Sequence, residues 1–154
     1  MAETLSSLSD FPTPNRMMRF LYSVGLGPLV GSVVLLLTTT GRKTGLPRVT
    51  PLQYEEVEGL YYVGSMRGTR ADWFRNLVAD PNVEVRVRSR RFEGVAEPVT
   101  DTARIADFLE IRLQRHPRMA GRVLKAEGLS SKPDRSELEE YASRLAMVVI
   151  SPCE

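Results

Sequence analysis

The chain has 154 residues, of which 42% are hydrophobic and 26% charged, an ordinary mix for one folded domain with a sizeable core. Its formal charge of +2 is too small to argue for nucleic acid, and the cations are mainly arginine. One cysteine, Cys153, and one histidine, His116, exclude an intrachain disulfide and a zinc site built from Cys and His.

Residues 1–14 read as a loose arm, with Pro12 and Pro14 opposing early helix, and 15–154 as a single domain. The first ten residues are polar and show no signal-peptide core, so a cytoplasmic location is expected. Met17, Met18, Phe20, Leu21 and Val24 lie at helical spacing after a candidate N-cap at Asn15. Packing on a sheet is the first reading of that helix; peripheral contact with a membrane surface, through Arg16 and Arg19, is the second.

Strands follow. The run at 32–39 is continuously apolar, as a strand buried on both faces would be, and too short to span a bilayer. Residues 48–57 are extended, with Pro51 marking an edge or bulge. Glu58-Gly59 turns the chain into 60–65, and these pieces are expected to form a meander. A short helix at 70–79 interrupts it, pairing Trp73 with Leu77 and Phe74 with Val78 on shared faces. Residues 83–89 alternate strictly, with Val83, Val85 and Val87 on one face, and 92–99 pair with them across a turn. Asp101 caps a helix over 102–115, Pro117 ends it, 118–127 form another helix up to Gly128, and SELEEYASRL is one more. AMVVIS closes the chain as a strand. About six mainly antiparallel strands with flanking helices predict an α+β fold, and a small barrel would remove exposed edges.

Two stretches carry chemistry. In TTTGRKTGLPRVTPL, Gly41 and Gly45 flank Arg42 and Lys43, and Arg48 adds a third cation within seven residues. Free amides beside glycines can form an anion-binding nest, and arginine suits phosphate or carboxylate. The string is not a P-loop, because Arg42 precedes the lysine and Pro47 starts a strand. A polar turn with solvated cations is the competing reading, equally weighted on the residues alone. The second stretch, GSMRGTRADWFRNL, opens a helix after a glycine-containing turn, a natural anion site. Trp73, the only tryptophan, and Asn76 share a helix face there, although a core role for Trp73 competes. The basic hairpin around Arg86, Arg88, Arg90 and Arg91 alternates with Glu84 and Glu93 and has no aromatic platform, so nucleic-acid binding is not expected.

Together, LLLTTTGRKTGLPRVTPL and VGSMRGTRADWFRNLVADPNVEV resemble the deazaflavin-dependent nitroreductase family, small split β-barrel proteins related to flavin-binding pyridoxamine oxidases. The likeness covers roughly residues 15–100. It implies coenzyme F420 as cofactor, with FMN the alternative and haem also hosted by the fold. It also implies two-electron reduction of a small quinone, enone or nitro compound. By the matching motif, Arg42, Lys43 and Arg48 would hold phosphate or the oligoglutamate tail, beside a wall of Pro47, Thr50 and Pro51. Ser65, Met66 and Arg67 would lie near the deazaflavin, and Trp73 and Asn76 would complete the cofactor pocket. Ser65 and Tyr141 are the candidate proton donors or substrate orienters. A non-catalytic cofactor carrier of the same fold is the alternative function, and a monomer or homodimer the expected assembly. The resemblance weakens in the C-terminal third, where Tyr141 is the one tyrosine in place of several that line the family's substrate pocket.

Overall fold

The computed structural model describes residues 34–153. The expected arm, the helix at 15–24 and the start of the 32–39 strand lie outside them. Seven strands form one antiparallel sheet: β1 (Val34–Thr40), β2 (Pro47–Gln53), β3 (Glu55–Val57), β4 (Leu60–Ser65), β5 (Asn82–Val87), β6 (Arg90–Val99) and β7 (Ala146–Pro152). Among the described residues four α-helices accompany them: α1 (Asp72–Ala79), α2 (Thr102–Arg115), α3 (Pro117–Ala126) and α4 (Arg135–Ala142). No helix among the described residues is long and apolar enough to cross a membrane.

The strand order is β2-β1-β5-β6-β7-β4-β3. This corrects the expected meander. β1 and β2 do pair as a hairpin, with Leu37 opposite Thr50, but the β3–β4 hairpin sits at the far end of the order and joins the sheet through β7. The sheet curls so that β2 also approaches β4, giving a split β-barrel. The strand count rises from six to seven because the extended run at 48–57 breaks at Tyr54 into β2 and β3. Pro51 lies on β2, an edge of the strand order, where a missing amide costs no ladder bond on the open side.

The sheet has apolar cover on both faces. Inside the curl, Leu35, Leu37, Val63, Phe74, Leu77, Val85, Val148 and Ile150 form one buried cluster. On the other face Met147 and Val149 join Val99, Ile105, Phe108, Leu109, Leu124 and Leu138 from the helices. Successive residues of β7 therefore serve opposite cores, which is why that strand is apolar at every position from Ala146 to Ile150. α2 begins and ends where its sequence signals lie: the Asp101 side chain accepts a hydrogen bond from the Arg104 amide, and Pro117 opens the next helix. On α1 the buried set is Phe74, Asn76 and Leu77, whereas Val78 is 57% exposed, so the expected Phe74–Val78 face is not the packed one.

Candidate functional site

The loop between β1 and β2 is built from its own backbone. The Gly41 amide donates to the Leu46 carbonyl (2.8 Å), the Gly45 amide donates to the Gly41 carbonyl (2.8 Å), and the Leu46 amide donates to Thr44 Oγ1 (3.2 Å). A Cβ on Gly41 would lie 2.9 Å from Thr44 Oγ1 and 3.0 Å from the Leu46 carbonyl oxygen, so the close turn requires glycine. Gly45 has φ +72° and open space around it, so there the requirement is conformational only.

The loop is tied to α1 through Asn76, which is 4% exposed. Asn76 Oδ1 accepts from the Arg42 amide (3.2 Å) and from Arg42 Nη1 (2.8 Å), and its Nδ2 donates to Thr39 Oγ1 (3.3 Å). Arg42 Nη2 also pairs with Asp72 Oδ1 at 3.1 Å. The guanidinium of Arg42 holds the Asp72 carboxyl below the usual carboxylate range. Two expectations change as a result. The amides of Gly41, Arg42, Gly45 and Leu46 all donate within the protein, so these four are not free to form the expected backbone nest. The start of α1, expected to attract an anion, already carries the Asp72 carboxylate in its first turn.

A groove of about 520 Å³ lies over this junction, lined by Lys43, Pro47, Arg48, Thr50, Trp73 and Asn76, among others. Arg42 lines it too, but its contacts are those of an anchor. Lys43 and Arg48 are exposed and form no ion pair with any described residue. Trp73 is partly buried, packs on the barrel core, and stands nearly perpendicular to Phe74 with ring centroids 6.1 Å apart.

A second cavity, of about 240 Å³, lies further along β2. Pro51, Leu52 and Gln53 form one wall, Gly64, Ser65 and Met66 another, and Ile105, Phe108, Leu109, Leu124 and Tyr141 contribute from the helices. β2 is thus shared: residues 47–50 face the cationic groove and 51–53 the apolar chamber. The sequence-predicted residues divide accordingly. Arg42, Lys43, Pro47, Arg48, Thr50, Trp73 and Asn76 meet at the groove, while Pro51, Ser65, Met66 and Tyr141 meet at the chamber. Arg67 is exposed in the turn after β4 and lines neither.

Within the chamber the two expected proton donors differ. Ser65 is buried and its hydroxyl donates to the Gly68 carbonyl at 2.7 Å, so its proton is committed to the turn. Tyr141 is buried, and among the described residues its hydroxyl's hydrogen-bond partner is the Met66 sulfur at 3.5 Å, a weak acceptor. Burial pushes the Tyr141 phenol above its ordinary value, so it stays protonated at neutral pH. The sequence reading missed Asp72, Gln53 and Arg112. Each lies far along the chain from the groove or chamber residue it meets, and no local spacing signals such a contact.

A family model described as F420H2-dependent quinone reductase matches residues 15–127. The chain belongs to the F420H2-dependent quinone reductase family. Within that family, the F420H2-dependent quinone reductase Rv1261c of Mycobacterium tuberculosis is 41% identical over 68 residues, 42% of this chain and 46% of the relative. The chain spans about half the length of the curated relatives it matches. Among solved structures, an F420H2-dependent reductase superposes with a TM-score of 0.52 at 21% identity, covering 77% of this chain and 93% of that one. The conserved hypothetical protein Rv2991 of Mycobacterium tuberculosis superposes with a TM-score of 0.56 at 17% identity, over 94% of this chain and 82% of that one. At these identities the superpositions show the shared fold.

Proposed function

We propose that the chain is a reductase that uses reduced coenzyme F420 and passes a hydride to a small organic acceptor. Family membership supports the cofactor class. The observation in the structure that carries the reading is the pair of exposed cations, Lys43 and Arg48, beside a groove whose neighbouring wall is Trp73. A coenzyme with a phosphate and several carboxylates fits that donor set, since each charge-assisted contact replaces water at two cations that no described carboxylate neutralises. Bound, the reduced deazaflavin supplies two electrons and a proton as hydride.

The chain's own residues do the rest. Lys43 and Arg48 bind the anionic groups. Arg42 and Asn76 hold the loop that presents them. Pro47, Thr50 and Trp73 wall the groove, and Pro51 stands where groove gives way to chamber. The chamber, with its apolar lining, excludes water from the acceptor. Tyr141 donates a proton to the acceptor oxygen, which balances the hydride and gives the reduced product. Ser65 positions the turn that carries Met66 to the chamber, and Met66, 55% exposed, lies at its mouth. Quinones are the acceptor class that the family description favours, with enones and nitro compounds as further candidates.

The test is an equilibrium titration of the purified protein with F420, FMN and haem, followed by oxidation of F420H2 in the presence of a quinone, an enone and a nitroarene. The expected result is F420 binding and turnover with the quinone. Retention of FMN or haem in place of F420, or F420 binding without turnover on any acceptor, contradicts it.

A further inference from the structure

The chamber is not uniformly apolar. Gln53 and Arg112 contribute polar groups to its lining. Arg112 Nη2 donates to Gln53 Oε1 at 2.7 Å, and the guanidinium lies over the Phe108 ring, 5.8 Å from its centroid. Its side chain is 13% exposed. The nearby carboxylate is Glu55, but Glu55 gives its closer contacts elsewhere. Oε1 accepts from Arg115 at 3.3 Å, and Oε2 is 3.2 Å from His116 Nε2, whereas Arg112 stays 3.7 Å away. One buried carboxylate therefore faces two guanidinia, and the more buried cation has the poorer share of it. A buried charge without a matched partner is costly, and burial indeed outweighs Glu55 in lowering the pKa of Arg112. Among described contacts, the guanidinium uses few of its five N–H donors, and the Gln53 amide nitrogen sits beside it.

We propose that the chamber binds an apolar organic anion, with a carboxylate seated on Arg112 and Gln53 and an aromatic or aliphatic body against Phe108, Leu109 and Leu124. Such a ligand adds the negative charge that the Glu55–Arg112–Arg115 cluster lacks and fills the apolar volume in the same step. The chamber's 240 Å³ exceeds the roughly 150 Å³ that suffices for benzene, so a bicyclic carboxylate has room. This deepens the acceptor-chamber reading: the preferred acceptor carries an anionic group for Arg112 in addition to the carbonyl that takes the Tyr141 proton.

The test is calorimetric titration, without coenzyme, of 2-naphthoate and of the neutral 2-naphthalenemethanol. In the wild-type chain the acid binds at least about tenfold more tightly than the alcohol. Arg112→Met removes that preference and leaves the alcohol's affinity within about threefold, because the apolar contacts remain. Arg112→Lys keeps the charge without the planar fork, so it retains part of the preference, which guards against a misfolded Met variant. Leu124→Trp fills the chamber and abolishes binding of both probes. Equal affinities for acid and alcohol, an unchanged preference in Arg112→Met, or acid binding that survives Leu124→Trp overturns the proposal. So does loss of acid binding in Lys43→Ala/Arg48→Ala, which would place the anion in the groove. F420 titration of the same samples keeps the two readings apart: failure to bind F420 with the naphthoate result intact removes the coenzyme reading alone.

Discussion

Replacing Asn76 with alanine removes one side chain that makes three hydrogen bonds, and its cost is open to reckoning. The bonds to the Arg42 amide and to Thr39 Oγ1 are contacts between neutral groups, at 3.2 and 3.3 Å. Each is worth about 1 kcal/mol net. The third, at 2.8 Å, comes from a guanidinium whose side chain is 19% exposed. A charge-assisted bond is worth about 1.5–3 kcal/mol, and partial exposure lets water recover some of that. The Thr39 hydroxyl, 1% exposed, then loses a partner in a place water does not reach. The sum is a loss of about 3–5 kcal/mol, which at a urea slope of about 2 kcal/mol/M lowers the unfolding midpoint by about 1.5–2.5 M. Urea unfolding followed by the emission of Trp73, the only tryptophan, reads this directly. A double-mutant cycle with Arg42→Ala isolates the pair, with an expected coupling of about 1–2 kcal/mol. Coenzyme affinity falls with stability in Asn76→Ala, because the loop bearing Lys43 is no longer held against α1. Asp72→Ala, which removes only the exposed partner of Arg42, changes the midpoint little by comparison. A midpoint in Asn76→Ala that matches wild type, or a coupling near zero, refutes the claim that this side chain fastens the loop.

Three further outcomes follow from the same geometry. Gly41→Ala weakens coenzyme binding more than Gly45→Ala, because a Cβ at 41 meets the Leu46 carbonyl at 3.0 Å while at 45 only the left-handed backbone, φ +72°, is strained; comparison of the two dissociation constants checks the order. Ser65→Ala costs about 1–2 kcal/mol by orphaning the Gly68 carbonyl, yet leaves the pH profile of turnover unchanged, since the hydroxyl proton is spent on that bond. Tyr141→Phe lowers turnover by about 100-fold if the phenol supplies the proton, and it also acts on stability in alkali. The phenols of Tyr54, Tyr61 and Tyr141 are all raised by burial, so above the ordinary tyrosine value of about 10 the unfolded chain releases protons that the folded one keeps, and stability falls as pH rises. Removing one of the three makes that alkaline decline shallower, as denaturation midpoints between about pH 9 and 11 would record.

Local physics was legible in the sequence where it acts over a few residues. The helix at 102–115 was bounded by a cap and a proline, and the alternation of Val83, Val85 and Val87 was that of a half-buried strand. The glycines around Arg42 and Lys43 marked a tight loop, which the structure builds from backbone bonds between Gly41 and Leu46. Partner choice over long distances was not legible. β4 pairs with β7, Tyr62 lying opposite Val149, and nothing in LYYVGS names a strand more than eighty residues away. The same limit hid the role of Arg42, whose charge was plain but whose partners on α1 were not, and of Arg112, a buried cation that no local pattern singles out. Glu55 carries no mark of burial in QYEEV; only the return of α2 over β3 brings Arg112, Arg115 and His116 to it.

The central claim, that the cations beside the groove grip an anionic coenzyme, is tested most directly by titrating F420 into the wild-type chain and into Lys43→Ala/Arg48→Ala, with quenching of Trp73 emission as the signal. The account predicts saturable quenching in the wild type, and a loss of roughly 2–4 kcal/mol, about 30- to 1000-fold, in the double variant, allowing for the exposure of both side chains. Equal dissociation constants for the two proteins, with both folded, would contradict it.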